Sequence, residues 1–199
     1  RAFPVEVHWN AKPLPPKARI DEHTANSVLE VLKKTEGGVL VFLPGEGEIR
    51  RTEQRLRDKV PSDVHLHTLF GAMDFKAQRA AIKPAQTGRK IVLATSIAET
   101  SLTIQDVRVV VDAGQSRRSR FDPGSGMSRL VTEKVTRAEA TQRTGRAGRV
   151  SDGWCYRLWT KGEEGALAAF PPSEIEAADL TGFALELALW GAKPKDLKL

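Results

Sequence analysis

Cysteine is almost missing from this chain: Cys155 is the only one, and it lies inside the apolar-aromatic run from Trp154 to Trp159. A disulfide framework and a multi-cysteine metal site are therefore excluded. A small buried core residue in a reducing compartment is expected instead. Long apolar runs are missing too. None approaches the roughly 20 residues that a bilayer-spanning helix needs, and the opening Arg1-Ala-Phe-Pro-Val-Glu-Val has no signal-peptide centre. A soluble, cytoplasmic protein without membrane contact is expected. The histidines, His8, His23, His65 and His67, make no ligand set. His65 and His67 alternate on one strand face, and two histidines leave a site incomplete. No metal site is expected.

What is present is enough apolar material for one core. The chain has 199 residues, 40% of them hydrophobic, which suits one domain with a short further element at one end. Lys and Arg outnumber Asp and Glu by 31 to 25, for a net charge of +6. That balance suits a polyanionic partner, although many proteins without one share it. The distribution is more specific. Arginines gather at 117, 118, 120 and 129, then at 137, 143, 146 and 149. The last third carries Glu163, Glu164, Glu174, Glu176, Asp179 and Glu186.

Apolar alternation at Phe3, Val5, Val7 and Trp9 predicts a short strand followed by a proline-rich connector. Ala25, Val28, Leu29 and Leu32 have helical spacing within a helix from Asp21 to Thr35, with Asp21 as the expected cap. Val39–Leu43, Lys90–Thr95 and Val107–Val111 are continuous apolar runs separated by helix-like stretches. Strands apolar on both faces that alternate with helices predict an α/β fold with a mostly parallel sheet of about six strands covered on both sides. Between Gln115 and Val135 the pattern becomes basic and alternating around Asp122-Pro-Gly-Ser-Gly126, predicting a hairpin of Ser116–Phe121 and Ser128–Val135. A helix is expected from about Ala177 to Trp190. The domain is placed at 1–176, with 177–199 starting a following, truncated module.

The sharpest feature is Gln142-Arg-Thr-Gly-Arg-Ala-Gly-Arg149. On a helix, Gln142, Arg146 and Arg149 stand at i, i+4 and i+7 and point the same way, forming a phosphate clamp. Gly145 and Gly148 lie one turn apart on a neighbouring face, where a surface or ligand comes close despite a helix cost of about 1 kcal/mol each. The competing reading is a solvated basic helix, which would favour Ala, Lys and Glu over two glycines. Arginine suits the clamp because its planar fork stays charged and grips phosphate oxygens through paired hydrogen bonds.

This segment resembles motif VI of superfamily 2 helicases in its DEAH-box form. Lys90-Ile-Val-Leu-Ala-Thr-Ser-Ile-Ala-Glu-Thr-Ser-Leu-Thr-Ile104 resembles motif V, and Val39-Leu-Val-Phe-Leu-Pro-Gly-Glu-Gly-Glu-Ile49 resembles motif IV. The three stand in the family's order, and the similarity runs from about Phe3 to Leu199, most like a bacterial branch of the family. By this resemblance the chain is identified as a second RecA-like domain, the helicase C-terminal domain, a three-layer structure with a basic β-hairpin.

The resemblance implies that Arg146 and Arg149 act as finger and sensor on ATP phosphates, with Gln142 beside them. Thr95 matches a position on the RNA backbone, and Ser101 and Thr103 match positions facing the nucleotide cleft. Relatives place an acidic residue and then glycine at the positions of Gln105 and Asp106, so the ATP ribose contact falls to one of these two. Gly45 fits either a close pass of nucleic acid or an ordinary turn. The hairpin's Arg117, Arg118 and Arg120 are expected on phosphates near the strand junction, positioning the strand without reading sequence.

Neither the GxxxxGK[ST] loop nor the acidic pair that holds Mg²⁺ in such motors occurs in the sequence. ATP with Mg²⁺ is thus expected to be shared with a first RecA domain of the same polypeptide, with RNA as the track and no ATP hydrolysis by this chain alone. Asp21-Glu22-His23-Thr24 superficially resembles the family's name motif, but that motif has a residue between Glu and His and follows an apolar strand. Helix cap and first turn is the reading kept. Two rivals stand beside the motor: a non-catalytic nucleic-acid-binding or protein-docking module of the same shape, and a motor acting on DNA.

Overall fold

The computed structural model describes residues 2–172. The helix expected at 177–190 and the boundary at 176 lie outside the described residues. Six strands make one sheet: β1 (Val5–Trp9), β2 (Gly38–Phe42), β3 (Val64–Leu69), β4 (Arg89–Ala94), β5 (Val107–Asp112) and β8 (Gly153–Arg157). Their order is β1-β8-β5-β2-β4-β3, and every pairing in this sheet is parallel. The remaining strands, β6 (Gln115–Asp122) and β7 (Met127–Lys134), form a separate antiparallel hairpin. The apolar runs and the hairpin fall within a residue or two of their expected bounds.

The helices are α1 (Ile20–Lys34), α2 (Glu46–Arg57), α3 (Phe75–Ile82), α4 (Arg137–Gly145) and α5 (Lys161–Glu164). Along the sheet, the chain advances from β1 through β2 to β3 and returns through β4 and β5 to β8. Right-handed crossovers then require helices on opposite faces for the two directions. Val28 and Val31 of α1 and Ile49 and Leu56 of α2 pack one face, with Val39, Val41 and Leu93 beneath them. Ala81 of α3, Ala98 and Ala147 pack the other face over Leu40, Val92 and Val110. Both faces are covered, which is why β2 is buried at all five positions.

Two basic residues at the N-terminal edge of β4 close helix ends. Lys90, only 3% exposed, donates from Nζ to the carbonyls of Ala81, Ile82 and Lys83 at the end of α3. Arg89 does the same for Leu32 and Thr35 at the end of α1. Both satisfy carbonyls that a helix terminus leaves without partners. Burial pushes the Lys90 ammonium below its ordinary pKa.

Two local expectations are corrected. Asp21 does not cap α1; Arg19 holds that position without a side-chain cap. Asp21 instead lies buried in the first turn, accepting from Arg55 Nε at 2.7 Å and Arg19 Nε at 3.4 Å. The segment read as one helix through Arg149 stops at Gly145 and continues as a 3₁₀ turn, Arg146–Gly148. Gly148, at the end of this turn, makes a close contact. A Cβ there would lie 2.5 Å from the Phe3 carbonyl oxygen, and the Gly148 carbonyl accepts from Phe3 N at 2.8 Å. The close approach is to the strand β1 segment of the same chain rather than to a ligand.

Candidate functional site

A parallel sheet offers its crevices at the carboxyl ends of the strands. Gly45 follows β2 there, Thr95 follows β4, and the hairpin leaves directly from β5. From Thr95 the chain crosses the sheet face that carries the 146–148 turn. Ala98 and Ile104 share its core with Ala147. It reaches the opposite edge at Asp106, whose carbonyl accepts from Gly38 N at 3.1 Å. Ser101, Thr103, Gln105 and Asp106 are exposed along this path. Asp106 has φ 64°, a left-handed conformation natural to glycine and tolerated by aspartate, so the backbone shape survives the change of residue. Asp106 also lines a concavity of about 480 Å³ with Arg108 and Val150; Gln105 does not.

The arginines of the motif VI segment divide sharply. Arg143 is 0% exposed. Its Nε donates to Glu99 Oε1 at 2.7 Å, Nη1 to Asp112 Oδ1 at 2.7 Å, and Nη2 to the Gln115 carbonyl and Ser116 Oγ. The guanidinium also stacks over Phe42, 4.9 Å from the ring centre. Burial opposes its charge, but Asp112 and Glu99 outweigh that and hold its pKa above the ordinary value. Glu99 is pushed the other way. Burial raises its pKa, with Arg143 opposing.

Arg146 and Arg149 have no carboxylate within ion-pair distance among the described residues. Arg146 is half-buried and Arg149 exposed, as is Gln142. Burial lowers the Arg146 pKa, and repulsion from Arg149 lowers it further. Glu99 opposes this in part from beyond ion-pair distance, and two neighbouring guanidiniums without an ion-pair partner among the described residues favour an anion supplied from outside. Gly145 has nothing within 4 Å of the position a Cβ would take, so this surface is open. The donor set fits phosphate oxygens.

The hairpin's arginines are more committed. Arg118 donates to Glu139 at 2.7 and 3.0 Å, and its side chain is only 13% exposed. It is turned inward, away from the strand contact expected of it. Arg120 pairs with Glu133 at 2.5 Å and Arg117 with Glu48 at 2.8 Å. A Cβ on Gly45 would collide with the Arg117 guanidinium, so this glycine makes room for Arg117. Glu139 also completes a capping box with Thr136 at the start of α4. Burial works against its ionisation, but the bonds from Arg118 and Thr136 win and hold its pKa down at about 2.

Sequence reasoning missed Arg143, Glu99, Asp112 and Ser116. The only signal was Arg143's place between Gln142 and Arg146, which does not say that it points inward. Cys155 is buried as expected, with its thiol pushed up to about 12 by burial. Among the described residues no three His, Cys, Asp or Glu side chains gather as a metal site. No helix among them is long and apolar enough to cross a membrane.

The family described as "Helicase conserved C-terminal domain" matches residues 23–151. The ATP-dependent RNA helicase HrpB of Escherichia coli (strain K12) is 47% identical over 192 residues, which cover 96% of this chain and 24% of that protein. The pre-mRNA-splicing factor ATP-dependent RNA helicase prp22 of Schizosaccharomyces pombe is 36% identical, covering 96% of this chain and 17% of its own length. Two crystal structures of E. coli HrpB, one described as a DExH-box NTPase and the other as a DEAH/RHA helicase, superpose with TM-scores of 0.89 and 0.87 at 47% identity, each covering 96% of this chain and 24% of theirs. The chain thus spans about a quarter of the length of its HrpB relative. With the parallel six-stranded fold and motifs IV, V and VI in order, this chain belongs to the helicase conserved C-terminal domain family and is similar to the DEAH-box helicase HrpB.

Proposed function

We propose that this chain is the second motor domain of an ATP-dependent RNA helicase. It supplies arginine fingers to an ATP site whose phosphate loop and Mg²⁺-holding acids belong to a first RecA domain of the same cytoplasmic protein. The observation that carries this reading is the charge imbalance at Arg146 and Arg149, two adjacent guanidiniums with no carboxylate partner among the described residues, on an open surface beside Gly145. Fixed positive charge at that point stabilises the negative charge that develops during γ-phosphoryl transfer. Gln142, exposed in the last turn of α4, is assigned to the same site. Ser101, Thr103 and the Gln105–Asp106 pair, exposed on the segment after Thr95, are assigned to the nucleotide; Asp106, which borders a concavity with Arg108 and Val150, is the residue we assign to the ribose.

On the strand-carboxyl side, the Thr95 hydroxyl and the surface around Gly45 meet the RNA backbone, and Arg117 and Arg120 add charge at the hairpin. Backbone contacts make the motor tolerant of sequence and its binding sensitive to salt. Residues 1–176 form the motor domain, and 177–199 begin the next module.

ATP turnover by this chain alone, and mixed with the first RecA domain, with and without single-stranded RNA, tests the reading. Activity only in the mixture supports it. Turnover by this chain alone would overturn it, because a complete phosphate site would then exist here.

A further inference from the structure

Resting on that reading, we infer that the Ser116 hydroxyl is a positioning group for RNA stimulation of ATP hydrolysis: it joins the ion network beneath the nucleotide-facing arginines to the one beneath the hairpin.

The first network is Glu99–Arg143–Asp112, with both ion pairs at 2.7 Å. It fixes α4 against the end of β5 and the 3₁₀ turn that follows β4, three residues before Arg146. The second is Glu139–Arg118–Glu133–Arg120, which holds the hairpin base to the first turn of α4. Ser116 stands between them, 2% exposed. Arg143 Nη2 donates to its Oγ at 3.0 Å, and the same Oγ donates to Glu139 Oε2 at 3.2 Å. The hydroxyl thus accepts from a cation and donates to an anion, an arrangement in which each bond polarises the other.

Ser116 is also the second residue of β6, paired with Glu133 across the hairpin. The free end of the hairpin exposes Met127 and Leu130 at 68% and 71%, so a strand engaged there loads a lever whose base carries Ser116. Displacement of that base alters the restraint on Arg143, and through α4 the aim of Arg146 and Arg149. Packed interiors pass such shifts on because they do not deform continuously.

The neighbouring contacts do not need the hydroxyl. Arg143 keeps both carboxylates and the Gln115 carbonyl without it, and Glu139 keeps Arg118 and Thr136. Ser116→Ala therefore cuts the link and little else.

ATP turnover of the full-length protein is measured with and without saturating single-stranded RNA for wild type, Ser116→Ala and Ser116→Thr, with thermal melting of each. Ser116→Ala is expected to lower the ratio of stimulated to basal turnover about fivefold or more, while leaving the basal rate in place. Ser116→Thr, which keeps the hydroxyl, restores the ratio. A merely structural hydroxyl would shift the melting temperature and leave the ratio alone. Normal stimulation in Ser116→Ala overturns the link but not the motor reading. Absence of stimulation in the wild type overturns the reading and the link with it. Should Ser116→Ala fail to fold, Ser116→Cys, close in size and with only a weak donor and acceptor in place of the hydroxyl, is read for the same ratio.

Discussion

Arg143 meets Asp112 through Nη1 and Oδ1 at 2.7 Å where both side chains are 0% exposed. Asp112 Oδ2 is buried with no hydrogen-bond partner among the described residues, and apart from Arg143 the carboxylate accepts only from the Gly114 N–H, on Oδ1 at 2.8 Å. Removing one member of a buried pair leaves an uncompensated charge, at a cost of about 3–5 kcal/mol. Arg143→Ala is accordingly expected to destabilise this chain by about that much in urea unfolding. A cost under about 1 kcal/mol would mean that Glu99 and Asp112 find water or protonate at little expense.

The opposite pattern is expected three and six residues later. Arg146→Ala and Arg149→Ala remove guanidiniums that make no ion pair among the described residues, so their unfolding midpoints should stay near wild type. In the full-length protein each should lower ATP turnover by about 10³-fold or more, as loss of a finger does. Unchanged turnover in both would remove the basis of the proposed role.

Glu139 gives a pH dependence of definite sign. Its carboxyl titrates near 4.5 when free and at about 2 in the fold. The stability it contributes is fully present above pH 4.5 and lost as the pH falls towards 2. The difference corresponds to about 3 kcal/mol at most. In Glu139→Gln that component should be missing at neutral pH, and the variant should approach wild type as acid is added. Urea midpoints at several pH values between neutrality and strong acid follow the convergence, and a constant gap would contradict it.

The two glycines of the motif VI segment should respond differently to one added methyl. Gly145→Ala places it in open space and improves helix propensity, raising stability by up to about 1 kcal/mol. Gly148→Ala drives a Cβ to 2.5 Å from the Phe3 carbonyl oxygen, so β1 or the 3₁₀ turn must shift. A loss of about 1–3 kcal/mol is expected, in line with overpacking. Thermal melting of both variants checks the contrast. If Gly145→Ala also abolishes turnover in the full-length protein, an external surface approaches there.

Local chemistry determined much of this protein. The continuous apolar runs of β2, β4 and β5 call for a sheet buried on both faces, because such segments have no solvent side to spare. The turn cluster at 122–126 places the hairpin. The order of motifs IV, V and VI points to the helicase family before any coordinates. Tertiary structure decided which arginine does what. Arg143, Arg146 and Arg149 are alike in sequence, and only the arrival of Glu99 from 44 positions away and Asp112 from 31 makes the first a buried anchor. The same long-range pairing turned Asp21 from a cap into a partner of Arg55, 34 residues distant. Charge in a low-dielectric interior is governed by what the fold brings beside it, and spacing along the chain does not encode that.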